Sequence, residues 1–275
     1  MPELPEVETT CRGIAPHVTG HRILRLTVHD GRLRWPVPET LPAAITGQAV
    51  SRISRRGKYI LLHTAAGIMM VHLGMSGSLR LVAPDTPRKP HDHLVWLIDS
   101  GWELRFHDPR RFGCCLWLTG ELLAAPEQHP LLASLGPEPL SADFGDDHLF
   151  HQSRGKSAPV KSFLMDSHVV VGVGNIYANE ALFRVGIHPL REAGRISRTR
   201  YRHLTSAVRD ILAQAIVRGG TTLRDFVNGH GEPGYFQQEL SVYGRAGQPC
   251  RRCSRPLREV RLNARSTVYC GHCQR

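Results

Sequence analysis

The chain has 275 residues, of which 41% are hydrophobic and 21% charged, and its formal net charge is +11. That length allows two domains with a sizeable core, which excludes wholesale disorder. No apolar run approaches the roughly 18 residues of a membrane-spanning helix, no signal-peptide pattern opens the chain, and the arginine-rich charge points to a polyanionic partner, nucleic acid before membrane.

The opening stretch MPELPEVETT is acidic in an otherwise basic chain. Pro5 with Glu6 and Glu8 predicts a helix start that runs through Cys11, because proline tolerates the first turn and carboxylates suit the positive end of the helix dipole. Pro2 adds a chemical reading. A small second residue favours removal of Met1, which would leave a prolyl amine at the terminus. An α-amino group titrates near 8, against about 10.4 for lysine. A neutral amine can attack an electrophilic carbon and form a Schiff base. Glu3 beside it is placed to shuttle the protons.

Short strands follow. Ile23–His29 alternates, and 59–63 and 68–72 flank Ala65-Ala66-Gly67 as a hairpin. Residues 79–82, 94–98 and 102–106 continue the pattern. Such strands predict an antiparallel sandwich. Lys58, after Arg55-Arg56-Gly57, reads by itself as a surface charge. Met75, in HLGMSG, reads by itself as core. Asp108-Pro-Arg-Arg-Phe-Gly113 is either a tight turn or a loop that pushes Arg110 and Phe112 into a duplex, since apolar wedges unstack base steps.

Composition shifts near residue 125, where prolines and glycine between Ala125 and Ser141 mark a linker. Helices are expected over 159–165, 175–185 and 197–218. In the last, Leu204, Val208, Ile211, Leu212, Ala215 and Ile216 share a face, and Gly219-Gly220 ends it. Gly172-Val-Gly-Asn175 precedes a helical pattern, so it is either a phosphate-holding helix start or an ordinary glycine turn.

The seven cysteines divide into two sets. Cys250, Cys253, Cys270 and Cys273 form C-x2-C-x16-C-x2-C, the spacing of a tetrahedral Zn2+ site. Four thiolates leave no open coordination position, so the one zinc expected is structural. Arg251, Arg252, Arg255, Arg258, Arg261 and Arg265 surround the knuckles, as a nucleic-acid grip or a solvated face. Cys11, Cys114 and Cys115 are expected as free buried thiols in a reducing compartment.

Taken in order, PELPEVETT, RRGKY, HLGMSG, HDH, DPRRFG, LMD, VGVGNIYANEALF, GIHP, GGTTLRDF, GEPGYFQQELSVYGRAG and CRRC/CGHC resemble the formamidopyrimidine-DNA glycosylases, the 8-oxoguanine DNA glycosylase/AP lyases of base-excision repair, over essentially the whole chain. The resemblance implies an α+β protein: an N-terminal antiparallel β-sandwich with flanking helices over 1–125, a linker region over 126–150, a helix–two-turn–helix domain over 151–245, and a zinc hairpin over 246–275. It implies that Pro2 is the nucleophile and Glu3 its acid/base partner. It makes Lys58 a second proton donor and Arg265 a phosphate grip that assists δ-elimination. Met75, Arg110 and Phe112 would fill the hole left by a flipped base. His91, Arg110, Asn175 and Lys156 would contact DNA, with Arg154 as the alternative to Lys156. The 219–234 segment resembles the loop that covers a flipped 8-oxoguanine. Pro2 and Glu3 would face a DNA cleft between the domains. The implied enzyme is a cytoplasmic, bacterial, monomeric glycosylase that acts on oxidised purines in double-stranded DNA. Two alternatives stand beside it: an endonuclease VIII-like enzyme for oxidised pyrimidines, whose opening reads PEGPE rather than PELPE, and a non-catalytic zinc-ribbon binding protein.

Overall fold

The computed structural model describes residues 1–219 and 240–275. The described residues divide into two compact units, 1–133 with 218–219 and 134–217 with 240–275. The expected covering loop, most of the GGTTLRDF and GEPGYFQQELSVYGRAG motifs and Gly220 lie outside the described residues.

The first unit opens with α1 (Leu4–Val18). Pro5 occupies its first turn, and the Glu3 N–H donates to Glu6 Oε2 at 2.9 Å in a reciprocal capping box. The helix runs past the expected Cys11, because Val7, Cys11, Ile14 and Val18 continue one apolar face into the core. Strand β1 (Ile23–Val28) and helix α2 (Leu41–Ile45) follow. Then come β2 (Arg52–Arg56), β3 (Tyr59–His63), β4 (Ile68–His72), β5 (Ser78–Val82), β6 (Asp92–Ile98), β7 (Glu103–His107) and β8 (Cys114–Leu118).

All pairings in the unit are antiparallel. One sheet has the order β1-β6-β7-β5 and the other β2-β3-β4-β8. Ile60, Leu62, Met69 and Val71 of one sheet share a core with Leu79, Leu94, Trp96, Leu104 and Phe106 of the other. This is the expected antiparallel sandwich with α1 against it. Strands β2 and β8 do not follow from the sequence pattern. The first is arginine-rich and the second begins with two cysteines, so neither alternates cleanly.

The proline-rich stretch after the sandwich holds short helical turns, including α3 (Pro130–Ala133). In the second unit, α4 (His148–Ser153) precedes α5 (Val160–Leu164). Two consecutive turns then lead into α6 (Asn175–Arg184): the Asp166 N–H donates to the Phe163 carbonyl, and the Val169 N–H to the Asp166 carbonyl. That is the helix–two-turn–helix element. Helix α7 (Arg198–Val217) buries the six predicted apolar positions together with Tyr201, Thr205 and Ala207. Gly219 follows it with φ +81°. The unit ends in the hairpin β9 (Arg258–Leu262) and β10 (Arg265–Tyr269).

Candidate active site and metal centre

Pro2 and Glu3 are both buried, just before α1. The helix start fixes them, since Glu3 is its N-cap. Lys58 sits in the two-residue turn Gly57-Lys58 that joins β2 to β3. Gly57 has φ +56°, the left-handed value that glycine adopts at the first position of such a turn. The helix and this turn are joined through side chains. Glu8 Oε2 accepts from Arg55 Nε at 3.0 Å, and Arg55 NH1 donates to the Gly57 carbonyl at 2.8 Å. Burial pushes the Glu8 carboxyl up, but Arg12 and Arg55 outweigh it and hold it below the usual range.

His72 lies at the far end of β4, and sequence reading does not single it out. Its pKa is pulled down to about 4, first by burial and then by the charges of Lys58 and Arg34. Its Nδ1 accepts the Gly74 N–H at 3.0 Å, so the ring is neutral with its proton on Nε2. It packs 4.7 Å from the Tyr59 ring. A lone histidine in a strand carries no such signal in sequence; its membership of HLGMSG is the only one.

Met75, which reads from sequence alone as core, is instead 42% exposed at a loop tip, and Phe112 is 44% exposed. The Arg110 guanidinium lies 5.0 Å from the Phe112 ring centroid. The two loops touch backbone to backbone: a Cβ added to Gly74, which has φ +65°, would lie 2.4 Å from Gly113 N. His91 is exposed, has φ +70°, and sits near His93 and His107. Beneath it the buried Asp92 accepts from Arg80 at 2.6 Å, from the Lys89 N–H at 2.9 Å and from His107 at 3.0 Å. Arg111, next to Arg110, also has positive φ. Strained backbone thus accompanies both candidate DNA-contacting loops.

In the second unit, Asn175 opens α6. Arg265 is exposed and opens β10, straight after Asn263 and Ala264, whose φ values of 50° and 59° make a tight hairpin turn. Asn179 links the two. Its Nδ2 donates to the Asn175 carbonyl at 2.6 Å, and its Oδ1 accepts the Val268 N–H at 3.0 Å. Lys161 is 1% exposed and donates to the Ser266 carbonyl and Thr267 Oγ1. Glu180 accepts the N–H groups of Ser241, Val242 and Tyr243. These buried polar residues escape sequence reading because only their partners reveal them. Arg154 is committed inside the unit: it donates to the Phe150 and Ile196 carbonyls and to Ser153 Oγ, and it stacks on Phe150. Lys156 is exposed.

The sulfur atoms of Cys250, Cys253, Cys270 and Cys273 all lie within 4.8 Å of one another. The Cys250–Cys273 and Cys253–Cys270 separations are 4.0 and 3.5 Å. Tetrahedral zinc with Zn–S bonds of about 2.3 Å needs sulfurs in this range, whereas a disulfide needs about 2.0 Å. The N–H groups of Arg252 and Cys273 donate to Cys250 and Cys270 sulfur, each at 3.4 Å. The donor set therefore fits one structural zinc. Cys11, Cys114 and Cys115 are free and buried, and burial raises all three thiols, Cys11 and Cys114 to about 12.

A β-sandwich followed by a helix–two-turn–helix element and a four-thiolate zinc hairpin defines a class of zinc-bearing DNA-repair glycosylases. Three family models cover the chain in order: the formamidopyrimidine-DNA glycosylase N-terminal domain over residues 1–115, the H2TH domain of the same enzymes over 135–227, and a zinc finger found in FPG and IleRS over 247–275. The chain belongs to the formamidopyrimidine-DNA glycosylase family. It is 58% identical to the formamidopyrimidine-DNA glycosylase of Marinobacter nauticus over all of both chains. The crystal structure of the MutM (Fpg) protein of Thermus thermophilus is similar with TM-score 0.87 and 37% identity, covering 99% of this chain and 98% of that one. Wild-type Lactococcus lactis Fpg in complex with DNA containing N7-benzyl-Fapy-dG matches with TM-score 0.91 and 31% identity over 99% of each chain.

Proposed function

We propose that the chain is a bifunctional base-excision enzyme that removes oxidised purines, 8-oxoguanine and formamidopyrimidines, from double-stranded DNA and nicks the abasic site. The observation that carries this is the joined arrangement at α1. Glu3 caps the helix beside Pro2, and Glu8 and Arg55 tie that helix to the turn bearing Lys58. The family, whose relatives include a protein in complex with N7-benzyl-Fapy-dG DNA, supports the substrate class. It also removes the reason to read the chain as a pure binding protein. The PELPE opening keeps the pyrimidine-lesion enzyme second.

In this mechanism, loss of Met1 frees the Pro2 amine. Its lone pair attacks C1′ of the damaged nucleotide, the C1′–N bond to the base breaks, and the base leaves with a proton. The C1′–O4′ bond then opens, with O4′ taking up a proton and the prolyl nitrogen losing its own, and the resulting iminium acidifies C2′. Proton loss there expels the 3′ phosphate in β-elimination, and a second elimination expels the 5′ phosphate. Glu3 moves protons at Pro2 and the sugar. Lys58 donates a proton and holds phosphate. Arg265 grips phosphate during δ-elimination. Met75, Arg110 and Phe112 fill the space of the flipped base, which offsets part of an unstacking cost of a few kcal/mol. His91, Asn175 and Lys156 hold the backbone. Lys156 is preferred over Arg154 because Arg154 already spends its guanidinium inside the unit. Zinc, when bound by the four cysteines, holds the hairpin that carries Arg265. A cytoplasmic location follows from bacterial relatives and a DNA substrate.

Borohydride trapping on a duplex with 8-oxoguanine opposite cytosine, followed by peptide mapping, tests this reading. A covalent adduct on Pro2 is expected. An uncleaved N-terminal extension should abolish it, and Pro2→Gly should strongly impair turnover. Full activity with a verified intact extension would sink the mechanism, and trapping only on oxidised pyrimidines would move the chain to the second reading.

A further inference from the structure

Asp108 is fully buried, and one carboxyl group serves two loops. Its Oδ2 accepts the Gly113 N–H at 2.8 Å, next to Phe112. Its Oδ1 accepts the Ser76 hydroxyl at 3.3 Å, next to Met75. Its main chain is occupied as well. The Asp108 carbonyl accepts from His93 Nε2 at 2.9 Å and from the Arg111 N–H, and its N–H donates to the His91 carbonyl. The two loops have no room for a side chain between them, since a Cβ on Gly74 would lie 2.5 Å from the Phe112 carbonyl carbon.

Met75 and Phe112 at the tips of these loops are 42% and 44% exposed, so packing restrains them only in part. A wedge that must enter a base stack as one body needs its spacing set from below, or the ordering cost falls on the insertion step. We infer that Asp108 is the positioning residue of the void-filling side chains: its carboxyl group fixes the Met75 loop against the Arg110–Phe112 loop so that all three enter the duplex in register. This rests on the reading of Met75, Arg110 and Phe112 given above.

The clamp needs two polar atoms, not a charge. In Asp108→Asn, Oδ1 can still accept the Gly113 N–H while Nδ2 donates to the Ser76 hydroxyl. Asp108→Ala removes both contacts, and Ser76→Ala removes one while leaving the buried carboxyl group in place. The experiment measures single-turnover cleavage of an 8-oxoguanine duplex and of a single-stranded abasic oligonucleotide, which has no base stack to fill. The duplex-to-single-strand ratio should fall about tenfold in Asp108→Ala, less in Ser76→Ala, and stay within about twofold of wild type in Asp108→Asn. An unchanged ratio in Asp108→Ala and Ser76→Ala overturns the inference, as does an Asp108→Asn ratio as low as that of Asp108→Ala. Phe112→Ala, run in parallel, separates the two levels. If it lowers the ratio and Asp108→Ala does not, the clamp alone fails. If Phe112→Ala leaves the ratio unchanged, the void-filling reading fails and takes the inference with it.

Discussion

Glu3 carries two demands that a single substitution can separate. As N-cap it accepts a backbone N–H and holds α1 in place. In the proposed mechanism it also needs a titratable oxygen to move protons. Glutamine keeps an acceptor and loses the proton chemistry, so Glu3→Gln should lower glycosylase turnover by about 100-fold or more. Its melting temperature should stay within about 1 °C of wild type. Glu3→Ala should lose the turnover and, in addition, about 1 kcal/mol of cap stability, a drop of about 2–4 °C. Single-turnover rates and thermal melts of both variants check this, and equal melting losses in the two would remove the capping role. Legibility at this scale follows chemistry. The four knuckle cysteines announce themselves, because few other residue types do what they do, whereas Pro2 and Glu3 read first as a helix start and gain a chemical role only through the motif set around them. Asp108, Asn179 and His72 are silent in sequence, because a buried polar residue is defined by the groups that face it.

At the scale of elements, the strands with clean alternation are legible to within a residue or two, and the 59–63 and 68–72 hairpin forms β3 and β4 with those bounds. Strands β2 and β8 are hidden by arginines and cysteines that mimic loop or core composition. The zinc hairpin is legible as a metal site but not as a partner of α6. Its own core is small, built from Val242, Cys250, Leu257, Val268 and Cys270 with Phe183 of α6. So few apolar groups cannot order a hairpin, and metal binding, worth about 10–16 kcal/mol in zinc-finger peptides, must supply the difference. Cys250→Ser should therefore lose its zinc and unlock β10. Val268 would then leave Asn179, and Arg265 would lose its fixed place. Metal analysis and fluorescence anisotropy on lesion duplex check the outcome: metal content near zero and clearly weaker binding are expected, while unchanged metal and affinity would count against a structural zinc.

For the whole molecule, the net charge of +11 indicates a polyanion, and the ordered motif set indicates which family handles it. Neither says which cations do the gripping, because a chain with 35 lysines and arginines has far more charge than a DNA footprint uses. The salt dependence of binding can. Each phosphate neutralised by a cation contributes about −0.9 to the slope of log K against log salt on duplex DNA. If Lys58, Lys156 and Arg265 are the cations that neutralise phosphates, the slope should lie near roughly −2.7. Arg265→Ala should reduce its magnitude by about one. Asn175 is neutral, so Asn175→Ala should weaken binding at every salt concentration and leave the slope unchanged. The contrast between these two variants is the informative result. A slope of about −8 would spread the grip over the other surface arginines. An Arg265→Ala slope equal to wild type would mean that this arginine reaches DNA, if at all, without releasing a counterion, and its role in δ-elimination would have to be argued from chemistry alone.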